Sequence, residues 1–168
     1  TVTWDANKTL TAYFEAYTVT GDEIFSGTAL TSSAYWMAYG SCSVNSVTGG
    51  VATLKFTGSV SGSDYIAFNK GYLGSKLEQG HKYRLTMEAK ASVNSAALVG
   101  YIGYYKSTGA DLINEDAIFW GDSLTTSYKT FTAEFTATRR DSNTSDAFII
   151  VVAANCTVNI RSISLKEA

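Results

Sequence analysis

Between residues 77 and 92 the chain reads LEQGHKYRLTMEAKAS, a glycine turn followed by strict alternation of apolar and polar side chains. Tyr83, Leu85, Met87 and Ala89 project to one side, and Arg84, Thr86, Glu88 and Lys90 to the other. That is the period of two required of a half-buried strand. A second such segment, 128–138, sets Phe131, Ala133, Phe135 and Ala137 against Thr130, Thr132, Glu134 and Thr136. A third closes the chain, where Val158, Ile160, Ser162, Ser164 and Lys166 oppose Asn159, Arg161, Ile163 and Leu165, with the apolar side less cleanly defined. One apolar and one polar face per strand predicts antiparallel sheets solvated on one side.

Turn signals recur at short spacing, among them Gly21-Asp22, Gly40-Ser41, Gly49-Gly50, Gln79-Gly80 and Gly121-Asp122. Proline is absent, so turns rest on Gly, Asn, Ser and Asp. The segments between them predict strands over 10–17, 34–39, 42–47, 51–58, 64–69, 82–91, 97–105, 117–120, 128–137, 146–153 and 156–166. The fold class is therefore all-β, a two-sheet antiparallel β-sandwich of the jelly-roll kind rather than a seven-strand immunoglobulin sandwich. Residues 109–116 (GADLINED) are the one stretch that reads as a short helical turn. No linker or repeat interrupts residues 1–168, which are expected to form a single domain.

At 168 residues the chain can bury a core without a disulfide or a metal. Net charge is −2 with no basic or acidic block, which excludes the positive stripe of a nucleic-acid partner. Apolar runs such as 148–154 fall far short of the ~20 residues of a helical membrane span. The opening TVTW carries no initiator Met and no charged or apolar leader, and reads as a processed protein or an excised piece. Cys42 and Cys156 are compatible either with a disulfide or with two partly buried thiols, and two cysteines alone make no zinc site.

Catalytic chemistry is poorly supplied. His81 is the only histidine and falls in a turn, so a nucleophile–imidazole site would have to be built around it. No glycine-rich phosphate loop occurs. Paired carboxylates for glycoside hydrolysis could come only from Glu88, Glu134, Glu115 or Asp116, and acidic residues on a sandwich surface are ordinary. The chain reads as a non-enzyme.

Binding chemistry is better supplied: aromatics make up 13% of the chain, with 11 tyrosines, while charged residues are scarce at 17%. Flat rings with a polar tip offer sugar C–H faces a stacking surface at little entropic cost. Three groups are dense: Tyr35-Trp36 with Tyr39, Tyr101 with Tyr104-Tyr105, and Phe119-Trp120. Alternation puts Leu98, Ile102 and Tyr104 toward the core, leaving Tyr101 and Tyr105 to face a cleft. Trp120 precedes Gly121-Asp122 at a strand end. Trp36, beside Met37 and Ala38, suits either the core or the cleft, and Trp4 reads as a packing plug. Arg84 and Glu88, ~13 Å apart along one polar face, either bracket a sugar chain or keep the sheet soluble. The candidate ligand-binding set is thus Tyr35, Trp36, Arg84, Glu88, Tyr101, Tyr105 and Trp120.

Phe14-Glu15, the Trp36 region, GGVATLKFTG at 49–58, LEQGHKYRLTMEAKAS at 77–92, YKTFTAEFTAT at 128–138 and IRSISLKEA at 160–168, in this order, resemble the jelly-roll carbohydrate-binding modules of families four, nine and twenty-two. The resemblance implies a non-catalytic module that binds xylans, β-glucans or other polysaccharides or surface glycans in an aromatic-lined cleft on the concave sheet. It implies an extracellular or cell-surface setting, fusion to other domains of a larger secreted glycan-degrading protein, a monomeric isolated module and no required cofactor. Many relatives hold a structural calcium with the acid of the Phe-Glu pair, here Glu15, and an acid in the last strand. The corresponding stretch here is Asn159-Ile160-Arg161-Ser162, a departure that weakens a calcium site. The family shades into sandwich domains of bacterial surface assemblies and phage tails, which makes a structural or adhesive role the alternative.

Overall fold

The computed structural model describes residues 21–25, 29–58, 64–68, 77–106, 112–139 and 144–168. Among them lie ten strands: β1 Trp36–Ala38, β2 Ser43–Thr48, β3 Val51–Thr57, β4 Ile66–Phe68, β5 Lys82–Ala91, β6 Ala96–Lys106, β7 Leu112–Leu124, β8 Lys129–Thr136, β9 Thr144–Val152 and β10 Asn155–Glu167. They form two five-stranded sheets, in the orders β1-β4-β9-β6-β7 and β2-β3-β10-β5-β8. Every pairing is antiparallel, so the architecture is the two-layer sandwich expected of the alternation. No helix among the described residues is long and apolar enough to cross a membrane.

β5 behaves as its sequence dictates. Tyr83, Leu85, Met87, Ala89 and Ala91 are buried against the other sheet. They meet Phe56, Leu54 and Val158 from their own layer and Phe68, Phe119, Phe148 and Ile150 from the facing one in a single core. Phe25 stands edge-on to Phe68, with centroids 4.9 Å apart. Emptying one of these ring positions to alanine costs about 3–5 kcal/mol.

The blurred alternation of the last strand has a definite cause. Ile160 pairs with Ala89 and Ser162 with Glu88, so Arg161 is an extra residue in a bulge. The bulge reverses the phase: Val158 and Ile160 face inward before it, and Leu165 after it. Gly49 and Gly50, with φ of 58° and 76°, form the two-residue turn between the paired Thr48 and Val51. Two consecutive positive φ angles make this a tight hairpin of the primed type, which matches strand twist.

The predicted helical turn over 109–116 is corrected. Residues 112–116 belong to β7, and 109–111 lie outside the described residues, as do the predicted strand 10–17, Trp4 and Glu15. Pairing with the long β6 overrides the local preference of LINED. Asp116 turns inward opposite Ile102, where Tyr104 donates to it at 2.6 Å and Thr138 through its hydroxyl at 2.6 Å and its N–H at 2.9 Å. Nearby, Arg139, just past β8, pairs with the fully buried Asp146 of β9, tying the two sheets together. Residues 34 and 35, the start of the predicted strand 34–39, belong instead to a 3-10 turn, Ser33–Tyr35, capped by the Ser32 side chain. Cys42 and Cys156 are free thiols, both raised by burial.

Candidate functional site

The outer face of the β1-β4-β9-β6-β7 sheet is apolar. Ala67, Ala147 and Ile149 point outward yet are fully buried, because tyrosine rings lie across them. Register places these groups in rows across the strands. Tyr39 donates its N–H to the Tyr65 carbonyl at 2.9 Å, and the two rings stack with centroids 4.3 Å apart. One position before the Ile66–Ile150 pair, Tyr65 continues the row toward Val151, which pairs with Val99, which pairs with Trp120. From Tyr65 to Trp120 the row crosses three strand gaps, ~14 Å. The next row runs Met37, Ala67, Ile149, Tyr101, Ala117. Gly103, paired with Ala147, joins the small residues Ala67 and Ala147 on the floor beneath these rings.

Trp120 is set outward by its backbone. Asp122 pairs with Leu98 and Trp120 with Val99, so Gly121 is a bulge residue, and its φ of 84° suits glycine. The indole is 79% exposed, on a strand that forms the sheet edge. Met37, 42% exposed, flanks the opposite end, and the Tyr39 hydroxyl donates to its sulfur at 3.9 Å. Desolvation, then the charge of Glu115, pushes Tyr101 up to about 12. Burial raises Tyr105 as well, helped by nearby Tyr65, whose hydroxyl shares a hydrogen bond with it. Tyr101 and Tyr105 therefore stay neutral through the physiological range, with Glu115 as the carboxylate beside Tyr101.

The sequence-derived candidates separate into distinct places. Tyr101 and Trp120 lie on this face. Tyr105 is on the same side but only 5% exposed, so its role there is corrected: its ring closes the floor and buttresses Tyr65. Trp36 is corrected to the core, because β1 turns it inward against Phe68 and its indole N–H donates to the Ala29 carbonyl at 2.5 Å. Tyr35, in the 3-10 turn, packs half-buried against the same core.

Arg84 and Glu88 lie on the outer face of the other sheet, so they join none of the rings above. Arg84 donates to Glu134 at 3.0 and 2.5 Å, and Arg161 to Glu88 at 2.7 and 2.5 Å. The arginine holds the Glu88 carboxyl below its ordinary range. Of the four candidate carboxylates for glycoside hydrolysis, Glu88 and Glu134 are thus engaged in ion pairs. His81 is exposed in its turn, with Nδ1 2.7 Å from Glu167 and Nε2 3.4 Å from Glu78. Among the described residues no group of three His, Cys, Asp or Glu is placed to hold a metal.

Tyr65 was missed by the sequence reading. It opens the short run Tyr65-Ile66-Ala67-Phe68, apolar on both sides, where periodicity cannot tell the faces apart. The available signal was pairing: Tyr39 lies one step beyond Ala38, and Tyr65 one step before Ile66, its partner.

No protein-family model matches this sequence, and no curated protein matches it. Solved structures do. The CBM22-1 xylan-binding domain from Paenibacillus barcinonensis superposes with a TM-score of 0.62 at 11% identity, over 88% of this chain and 95% of that one. The second N-terminal cellulose-binding domain of Cellulomonas fimi β-1,4-glucanase C gives 0.57 at 16% identity, over 89% and 96%. The enzymatically active domain of bacteriophage CBA120 tailspike protein 4 gives 0.53 at 11% identity, over 84% of this chain and 21% of that one. Likeness at such identities establishes the fold and transfers no residue's role. By fold, this chain is a jelly-roll sandwich like the CBM22 and CBM4 modules.

Proposed function

We propose that this chain binds a polysaccharide without catalysis, through the outer face of the β1-β4-β9-β6-β7 sheet, as an ancillary module of a larger secreted glycan-degrading protein. The observation that carries this reading is the row from the stacked Tyr39–Tyr65 pair to the exposed Trp120 over an apolar floor. Rings at the two ends of a row ~14 Å long match an extended oligosaccharide, and the phenol hydroxyls supply the polar contacts that fix it. Two similar structures are described as xylan-binding and cellulose-binding, which names the substrate classes to try first. Affinity electrophoresis through gels containing xylan, hydroxyethylcellulose or mixed-linkage glucan tests it. Retardation by at least one, lost in Trp120→Ala, is expected; a folded protein that none of them retards would falsify the reading.

The tailspike similarity favours a second reading, a structural or adhesive domain in a larger assembly. In that case the tyrosine face is covered by another subunit. Size-exclusion mass separates the two: a monomer is expected for the binding module, and a stable trimer for the assembly domain.

A further inference from the structure

The other outer face holds a cleft of its own. Where the turn after β7 rises beside the ends of β5 and β10, Lys90, Ala91, Ser92, Thr126, Thr157 and Asn159 line an open cleft of about 290 Å³. Its walls are braced by the backbone. Ser92 N–H donates to the Thr157 carbonyl at 2.8 Å, and Thr157 N–H to the Ser92 hydroxyl at 3.0 Å. Ala91 N–H donates to the Thr125 carbonyl at 2.8 Å, and Thr126 donates its N–H and hydroxyl to Asn94 at 3.1 and 3.2 Å.

The side chains that line it are less engaged. Among the described residues, the Thr157 hydroxyl and the Asn159 carboxamide have no hydrogen-bond partner, and Lys90 has no carboxylate partner. The Lys90 ammonium sits 4.8 Å from the centroid of the Tyr128 ring, which also carries the Arg161 guanidinium at 4.1 Å. Arg161 is already engaged by Glu88 in two hydrogen bonds. The ring therefore positions Lys90 without neutralising it. Beyond it, Lys55 donates to Asn155 at 2.7 Å, so at this end of the face three cations stand against the single carboxylate of Glu88.

We propose that this cleft is a second binding site, separate from the tyrosine face, for an acidic sugar: a pyranose ring bearing one carboxylate, as in a uronic acid residue. The lining chooses the chemistry. A bare inorganic anion is best held by several cations or a run of backbone N–H groups. One ammonium among hydroxyls and a carboxamide matches a ligand that is mostly hydroxyl with one negative group, since hydroxyl and amide each donate and accept. The volume stands at the small end of ligand clefts, which begin near about 300 Å³, and so suits one ring rather than a chain.

Amide-resolved NMR titration of the whole chain with sodium glucuronate, with glucose and inorganic phosphate as controls, tests the assignment. Saturable shifts are expected at Ser92, Thr126, Thr157 and Asn159, weakening as salt rises, with glucuronate at least about tenfold tighter than either control. Lys90→Met and Asn159→Asp are each expected to weaken glucuronate at least about tenfold, the latter by like-charge repulsion with the shape kept. Trp120→Ala leaves this binding unchanged, which keeps the outcome separate from that of the tyrosine face. Absence of shifts at those four amides, an equal response to phosphate or to glucose, or wild-type affinity in a folded Lys90→Met protein would each overturn the proposal.

Discussion

The two outer faces of this sandwich are built on the same backbone geometry and do opposite things with it. On the β2-β3-β10-β5-β8 sheet, arginines and glutamates pair across strands and Thr86 meets Thr132, so this part of the surface is satisfied by its own partners, the cleft at Lys90, Thr157 and Asn159 excepted. On the β1-β4-β9-β6-β7 sheet the outward positions include alanine, valine, isoleucine and tyrosine, with an exposed tryptophan at the edge. An apolar face left without a covering layer marks an interaction surface. Polarity of the outward residues, rather than strand order, distinguishes the two walls.

The largest difference between the faces should appear in stability. Ile149 points outward but is fully buried, so Ile149→Ala is expected to cost about 2–5 kcal/mol. The equally outward Thr132→Ala on the other sheet should stay within about 0.5 kcal/mol. Urea denaturation of both variants checks this, and equal midpoints would erase the distinction.

Next in size is ligand binding. Trp120→Ala should cost about 2 kcal/mol, a roughly thirtyfold loss of polysaccharide affinity by titration calorimetry. Arg84→Ala should leave affinity within about twofold, because it lies on the opposite face.

Alkaline titration sharpens the contrast further. Tyr101 is raised from 10 to about 12 in the folded state, so its contribution to stability is whole below pH 10 and is lost as pH climbs through about 12. Phenolate absorbance of the native protein should therefore lag that of the unfolded protein across this window, and Tyr101→Phe should reduce the lag.

The smallest effect concerns Glu88. Its carboxyl is lowered by Arg161, so the stability it adds is present above its ordinary 4.5 and fades as pH falls through the depressed value. Glu88→Gln should lower the melting temperature slightly at neutral pH and not at all in strong acid. A gap that persists at low pH would show that packing, not charge, is responsible.

Legibility in the sequence followed the same divide. β5 and β8 alternate cleanly because one side meets the core and the other meets water, and both were read with their faces correct. β9 contains the unbroken run Phe148-Ile149-Ile150-Val151-Val152, and β4 is Ile66-Ala67-Phe68. There both sides are apolar, so periodicity had nothing to grip, and that silence was itself the trace of the second apolar face. The orientation of Tyr101 could be read from spacing; Trp120, expected at the end of a strand 117–120, instead stands inside β7, and only the strand order puts it at the sheet edge. The removal of Trp36 to the core could not, because a tryptophan on a three-residue strand has no neighbouring period to fix its side.

The amino-acid sequence alone determined that this protein is built of antiparallel strands in two layers and which side of β5 and β8 is core. Those properties follow from local alternation and from which side chains are present. Tertiary structure alone decided that Tyr39, Tyr65 and Trp120 share one row, that Arg84 and Glu88 lie on the opposite wall, and that the extra residue Arg161 reverses the face of the last strand. Each of these depends on pairing between strands far apart in the chain, and a one-residue change of register moves every side chain beyond it to the other face.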